Sequence, residues 1–439
     1  MTIFLLTLIS FTSLFPFLIV IVKKRKVDPF EPLYFSSAYF ILLFVLRPIY
    51  DLTIGSEILG SPPFDNATEN AFNLALFYST LSFLAFLMGY YSRWVHNLVN
   101  LFPKLPTTWD KNIFQPASYL ILVFGLIIHW LLIQSFGGLD AYLSDKQETL
   151  TAGGQGYLAI GMFLINFTFA SHFTKFLKNG SSKIFICFFL LPLLLLLGLL
   201  SGSKGVFINP IVIAIIIWNY VKTRINPIVF LIGIFVLVFI FPIFNLYREI
   251  GDFNQLIDAI ASFYKSLEVE PLITQFILRF HTFDSFVYTI RDTPSVMDFQ
   301  YGQTLLPIFT VWIPRQIWED KPTVSFGKIF AETYYARFFA GTGTSASAGI
   351  TSEGYINFHI VGALIFAFIF GLLINFLYKY FIRLNFGLPS VAIYACIFLF
   401  SAVFWEADIA GFVSARLITL CVFLPLAFVM GKSSKVTNL

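Results

Sequence analysis

The chain has 439 residues, 58% of them hydrophobic and 12% charged, with a formal net charge of +4. Soluble domains carry roughly 25% charged residues and mean hydropathy here is +0.81, so composition excludes an ordinary soluble protein. Three cysteines (Cys187, Cys396, Cys421), all in apolar runs, offer neither a disulfide framework nor a metal-binding spacing.

Apolar runs close to the ~20 residues that cross a bilayer recur along the chain. Eleven spans are expected: 2–22, 33–50, 71–91, 116–136, 156–174, 184–200, 206–221, 227–246, 359–378, 389–405 and 411–430. The first has no basic residue before it and is followed by Lys23, Lys24, Arg25 and Lys26, the reverse of a signal peptide. It reads as a helix with its N-terminus outside. Alternate connections then hold Arg93, Lys104 and Lys111; Lys175, Lys178 and Lys183; Lys222 and Arg224; Lys379 and Arg383; and Lys432 and Lys435. Basic residues gather on the cytoplasmic side, which places the C-terminus inside. The opposite short loops are acidic, with Asp51, Glu57, Asp65, Glu69, Asp140, Asp145 and Glu148. The expectation is an all-α polytopic membrane protein of about 11 helices (10–13). Residues 1–246 form the first group of spans, 247–358 a large external loop and 359–439 the last group.

That loop, Arg248 to Phe358, holds 8 of the 28 Lys and Arg residues and 12 of the 24 Asp and Glu residues. Its apolar stretches 271–290 and 304–314 are too short or interrupted for confident spans. They fit amphipathic helices that lie on the membrane or dip into a protein-lined cavity. If 279–291 is helical, His281, Asp284, Tyr288 and Arg291 share one face, beside an apolar stripe of Phe280, Phe283, Val287 and Ile290. That polar face is either functional or simply solvated. Small residues from Ala340 to Gly349 make a flexible patch, either an ordinary loop or a lid.

The motifs of this loop are Tyr301-Gly-Gln-Thr304, Pro314-Arg315-Gln-Ile-Trp318-Glu319-Asp320-Lys321-Pro322 and Glu353-Gly-Tyr355-Ile-Asn357-Phe358. Two prolines stiffen the backbone around Arg315 and Lys321. Arginine offers a planar fork to phosphate oxygens and lysine a point charge. Internal pairing of those cations with Glu319 and Asp320 explains the pattern equally well. Upstream, Lys204 lies in a Ser-Gly-Ser-Lys-Gly turn (201–205) that lacks the phosphate-loop pattern.

The order of that turn, the Pro-Arg-x-x-Trp-x-x-Lys-Pro run (314–322) and the Glu-Gly-Tyr-x-Asn-Phe run (353–358) resembles the Wzy-type oligosaccharide repeat unit (O-antigen) polymerases. His359 departs from the small residue expected after Phe358. The resemblance implies a GT-C-like membrane glycosyltransferase that moves a growing glycan from undecaprenyl diphosphate onto the next lipid-linked repeat. It implies a bacterial inner-membrane location, no cofactor and a possible chain-length regulator as partner.

Such chemistry needs cations for the departing diphosphate, a base for a weakly nucleophilic sugar hydroxyl, and two substrates held together. Candidate diphosphate ligands are Arg248, Arg279, Arg291, Arg315, Lys204 and Lys321. Glu353 is the favoured base, followed by His281 and Asp284, with Trp318, Tyr355 and Asn357 as glycan contacts. Glu353 is alternatively a helix-terminal acid. Asp408 and Arg416 are read as a structural ion pair or as cavity lining. No metal site is expected. Arginines each sealed with a private carboxylate would count against the diphosphate reading. A ligase using the same donor, a lipid-linked oligosaccharide flippase and a non-catalytic scaffold are the competing functions. Charge concentrated at one face favours an enzyme over a transporter.

Overall fold

A computed structural model describes residues 1–22, 28–55, 66–139, 142, 158, 160–181, 183–226, 258, 262, 276–277, 279–310, 313, 317–318, 325–334 and 346–433. Among these, eight helices are long and apolar enough to cross a membrane. They are α1 (Thr2–Val22), α2 (Pro32–Thr53), α3 (Ala67–Tyr90), α4 (Phe114–Ser135), α6 (Lys183–Leu200), α7 (Lys204–Val221), α10 (Gly349–Leu384) and α12 (Ile409–Met430). Helix α5 (Ile160–Asn179) falls where a span is expected but carries buried polar side chains, including Asn166, Thr168, Ser171 and His172. Helix α11 (Leu388–Ala402) is the shorter one expected at 389–405. The expected span 227–246 lies outside the described residues. Two short helices of the long loop, α8 (Thr282–Asp292) and α9 (Phe326–Tyr334), complete the elements used below.

The helices form for ordinary reasons. Pro32 opens α2 at its first turn, where its missing N–H costs nothing. A wide π turn, Leu42–Leu46, then precedes Arg47, and a second spans Asp51–Gly55. Such turns change the register of a helix and recur at functional sites. Ser203 caps α7, and Gly202 before it takes a left-handed φ of 64°.

The chain divides into two compact units. The first comprises Met1–Val99, Ile273–Leu377 and Phe400–Ala415. Its core is aromatic: the buried Trp405 ring lies 4.8 Å from Phe40, 5.4 Å from Phe86 and 4.6 Å from Phe404. Helices α3 and α10 cross at reciprocal glycines. A Cβ on Gly89 would fall 2.1 Å from the Phe368 carbonyl oxygen, and one on Gly371 would fall 2.2 Å from that of Phe86. Small residues permit such close approach between membrane helices.

Helix α10 begins ten residues before the expected span start at 359, but its helical dihedrals break at Phe358 and His359. A Cβ on Gly354 would sit 2.7 Å from the Ala363 Cα. Nine residues of straight helix would separate those positions by about 13 Å. The segment before the break therefore folds back on the segment after it, forming a tight helical hairpin.

The second unit comprises Asn100–Leu272, Tyr378–Leu399 and Arg416–Leu439. Within it, a two-residue strand Thr108–Trp109 pairs antiparallel with Gly431–Lys432. The Trp109 indole donates to Thr174 at 2.9 Å, and Ser118 meets the His172 Nε2 at 2.9 Å.

Candidate functional site

In the first unit, helix α8 carries Asp284, Arg291 and Asp292, each with a partner from a distant part of the chain. It does not lie on a surface: every residue from Thr282 to Ile290 is buried. Its apolar stripe packs into the aromatic core, with Phe283 5.0 Å from Phe72 and 6.3 Å from Phe44. A merely solvated polar face is thereby excluded.

Near its start, Asp284 meets Arg47. The Nη2 is 2.7 Å from Asp284 Oδ2 and 3.2 Å from Asp51 Oδ1, and Nε donates to Asp284 Oδ1 at 3.2 Å. Arg47 is only 1% exposed. Burial and the neighbouring Asp51 push the Asp284 pKa well up, and Arg47 opposes them. At the far end, Arg291 grips Asp292 through both faces of its fork, at 2.7 and 2.8 Å. Its third nitrogen reaches the Thr68 hydroxyl at 3.3 Å, and Tyr334 donates to Asp292 at 2.5 Å.

A second cluster precedes α8. Arg279 Nη1 donates to Glu406 Oε1 at 2.5 Å, and Tyr39 donates to the same carboxylate. Burial tends to raise the Glu406 pKa, but Arg279 and Tyr39 hold it below the ordinary range, so it is an anion. The Arg279 side chain is 49% exposed. Its Nε and Nη2 have no hydrogen-bond partner among the described residues. His281, two residues on, has its pKa lowered by burial and by Arg279.

A third network is sealed. Glu353 is 0% exposed; one oxygen accepts from Thr304 at 2.8 Å and the other from the Ile409 backbone N–H at 2.6 Å. Asn357 donates to Thr304 at 2.7 Å and to the Glu353 carbonyl at 2.8 Å, while its oxygen accepts from Gly302 N–H at 2.7 Å. Asp408, just before α12, accepts from Ser325 at 2.9 Å and hydrogen-bonds the Glu353 carboxyl. Burial raises the Asp408 pKa, against those hydrogen bonds. Glu353 is the acid whose oxygen also accepts from the Ile409 N–H, beside Asp408. The acid therefore caps the first N–H of α12, a helix to which it does not belong. Among the described residues, no group of three or more His, Cys, Asp or Glu could hold a metal ion.

A family model described as O-antigen polysaccharide polymerase Wzy matches residues 2–434. The chain belongs to that family. No curated protein and no solved structure matches it. The likeness carried by 201–205, 314–322 and 353–358 thus extends along nearly the whole Wzy chain. It is a multi-pass bacterial membrane protein and, at the family level, a polymerase acting on lipid-linked oligosaccharides.

The expected site residues of this Wzy protein separate into groups. Arg279, His281, Asp284, Arg291, Glu353, Tyr355 and Asn357 all fall in the first unit; Lys204 falls in the second. Arg248, Arg315 and Lys321 lie outside the described residues, as does most of the 340–349 patch. Trp318 is partly exposed. Arg279 and Arg291 are each engaged by a carboxylate, so neither offers a wholly free fork. One Asp408 oxygen accepts from Ser325, and the carboxyl lies beside Glu353. Glycine at 205 leaves open space for a side chain; of the two turn glycines, only Gly202 is conformationally required.

Arg47 is the residue that sequence reading missed. It was absorbed into an apolar span, although an arginine inside such a run is itself a signal of function or of a buried partner.

Proposed function

We propose that this protein lengthens a polysaccharide at the outer membrane face, moving a glycan from undecaprenyl diphosphate onto a lipid-linked repeat unit. The acceptor hydroxyl oxygen bonds to the anomeric carbon of the donor glycan. The bond from that carbon to the diphosphate oxygen breaks, and undecaprenyl diphosphate leaves with the electron pair. The hydroxyl proton passes to a base.

One observation carries the assignment of residues: Arg279 is half-exposed and anchored through a single nitrogen, with Nε and Nη2 unclaimed among the described residues. Glu406 and Tyr39 fix its orientation, so the remaining donors are preorganised for phosphate oxygens, where such stabilisation counts most. His281 is the proposed base, because burial and Arg279 keep its imidazole neutral. Glu353 and Asn357 are positioning residues: their polar atoms are committed within the protein. Arg291 is held by Asp292 and shapes α8. By their place in the sequence, Arg248, Arg315 and Lys321 are proposed to add positive charge along the same outer loop.

The test is purified protein in lipid vesicles, given undecaprenyl-diphosphate-linked repeats and no added metal, with glycan length as readout. Wild type should build long chains and Arg279→Ala should not. Undiminished extension by Arg279→Ala would remove Arg279 from the reaction. Offering a lipid A acceptor in the same vesicles separates polymerase from ligase.

A further inference from the structure

Among the described residues, two non-glycine residues have positive φ: Tyr301 at 44° and His359 at 57°. His359 also has ψ of −159°, a combination that is essentially confined to glycine. Both belong to one aromatic group. The Phe299 ring lies 6.0 Å from Tyr301, 6.2 Å from His359 and 6.4 Å from Tyr355. The Tyr355 ring is 4.6 Å from His359, and its hydroxyl meets the His359 Nε2 at 3.2 Å.

The surroundings hold these backbones in place. Gln300 N–H donates to the Ile356 carbonyl at 2.9 Å, and Gly302 N–H donates to Asn357 at 2.7 Å. The 298–302 loop is thereby strapped to the folded-back start of α10. Glycine at 302 is needed for its φ of 92° and lies against the Phe358 ring. Bulky residues kept in glycine's conformations occur where surrounding structure over-determines them, and they concentrate at ligand clamps.

The strain presents rings outward rather than burying them. Tyr301 is 74% exposed, and Phe358 and His359 are also exposed. Asp298, beside them, is exposed, and so is the contact between the Gln300 amide and the Asp298 carbonyl. A hexose presents the same combination in complement. Its polarised C–H face suits the electron-rich face of an aromatic ring, and its hydroxyls suit a carboxylate, an amide and an imidazole.

We propose that Phe299, Tyr301 and His359, with Asp298 and Gln300 at the rim, form a saccharide-binding face that seats a sugar of the glycan. This deepens the proposed reaction and rests on it only for the identity of the ligand. Stacking supplies affinity with tolerance for substituents, while the rim groups orient the ring.

The probe is the free oligosaccharide released by mild acid from the host cell's lipid-linked repeats. It is titrated calorimetrically into protein held in lipid nanodiscs. Tyr301→Phe should bind like wild type. Tyr301→Gly accepts the positive φ without cost and keeps the fold; it should lose about tenfold in affinity, as one missing ring contact predicts. His359→Gly should lose affinity while its thermal midpoint stays level or rises. Wild-type affinity in both glycine variants would overturn the proposal. So would a Tyr301→Gly effect confined to how the protein sits in the bilayer, because that marks an interfacial anchor. Arg279→Ala should keep its affinity for this diphosphate-free probe. If Arg279→Ala also keeps chain extension, the reaction assignment fails while the binding result for the aromatic face stands separately.

Discussion

Arg47 Nη2 lies 2.7 Å from Asp284 Oδ2, joining the second membrane helix to the short buried helix of the long loop. Both side chains are almost wholly buried. Removing one partner strands the other's charge, which typically costs about 3–5 kcal/mol. Arg47→Ala should therefore lower the thermal midpoint sharply and reduce protein level. Arg47→Met with Asp284→Leu and Asp51→Leu, which removes the whole ion group, should be milder. Thermal unfolding in detergent checks the order; equal damage from both would mean that the pairing itself is not the source.

Glu353 gives a contrasting expectation. Its oxygens accept from Thr304 and from the Ile409 N–H. Glutamine keeps an acceptor for the helix terminus, so Glu353→Gln should retain chain extension within about tenfold. Glu353→Ala leaves a buried donor unsatisfied, at about 1–3 kcal/mol, and should lower stability. Complete loss of extension in Glu353→Gln, at normal protein level and melting temperature, would return Glu353 to the chemistry.

The proposed base has a pH signature. His281 has a lowered pKa, so its neutral form persists below the ordinary histidine value of about 6.5. Activity that needs the neutral imidazole falls as pH drops through the lowered pKa. It should already be on its plateau at neutral pH. His281→Gln should lower turnover by roughly 10²–10⁴-fold and erase that acid limb. An unchanged limb in the variant would assign it to another group.

Sidedness is checked with Val296, which is 63% exposed just after helix α8. In a background lacking Cys187, Cys396 and Cys421, Val296→Cys should react with an impermeant thiol reagent added to intact spheroplasts. Labelling only after lysis would place the loop in the cytoplasm and reverse the proposed orientation.

Much of the fold was legible because apolar run length is a strong signal. Ten of the eleven expected spans coincide with helices, and the eleventh, 227–246, lies outside the described residues. The helical period likewise placed Asp284 and Arg291 on one short helix. The pairing of those residues was not legible, since Arg47 is 237 positions from Asp284 and no local spacing links them. Glu353 illustrates the same limit. Its place near a helix start suggested a dipole partner, but the terminus that it caps comes from a different helix, 56 positions later. The hairpin at 358–359 had a faint marker: His359 stood out as the wrong residue for its place, yet only dihedral angles reveal a backbone held where glycine normally serves.

The reciprocal glycines where α3 and α10 cross have a consequence for how this protein tolerates change. Alanine at Gly89 or Gly371 would drive a methyl group into the opposing carbonyl, and the crossing cannot relax without displacing the aromatic rings wedged beside it. Selection of random variants for surface polysaccharide should therefore leave those two positions untouched, while the exposed Met88 and Ile369 close by drift freely among other apolar residues.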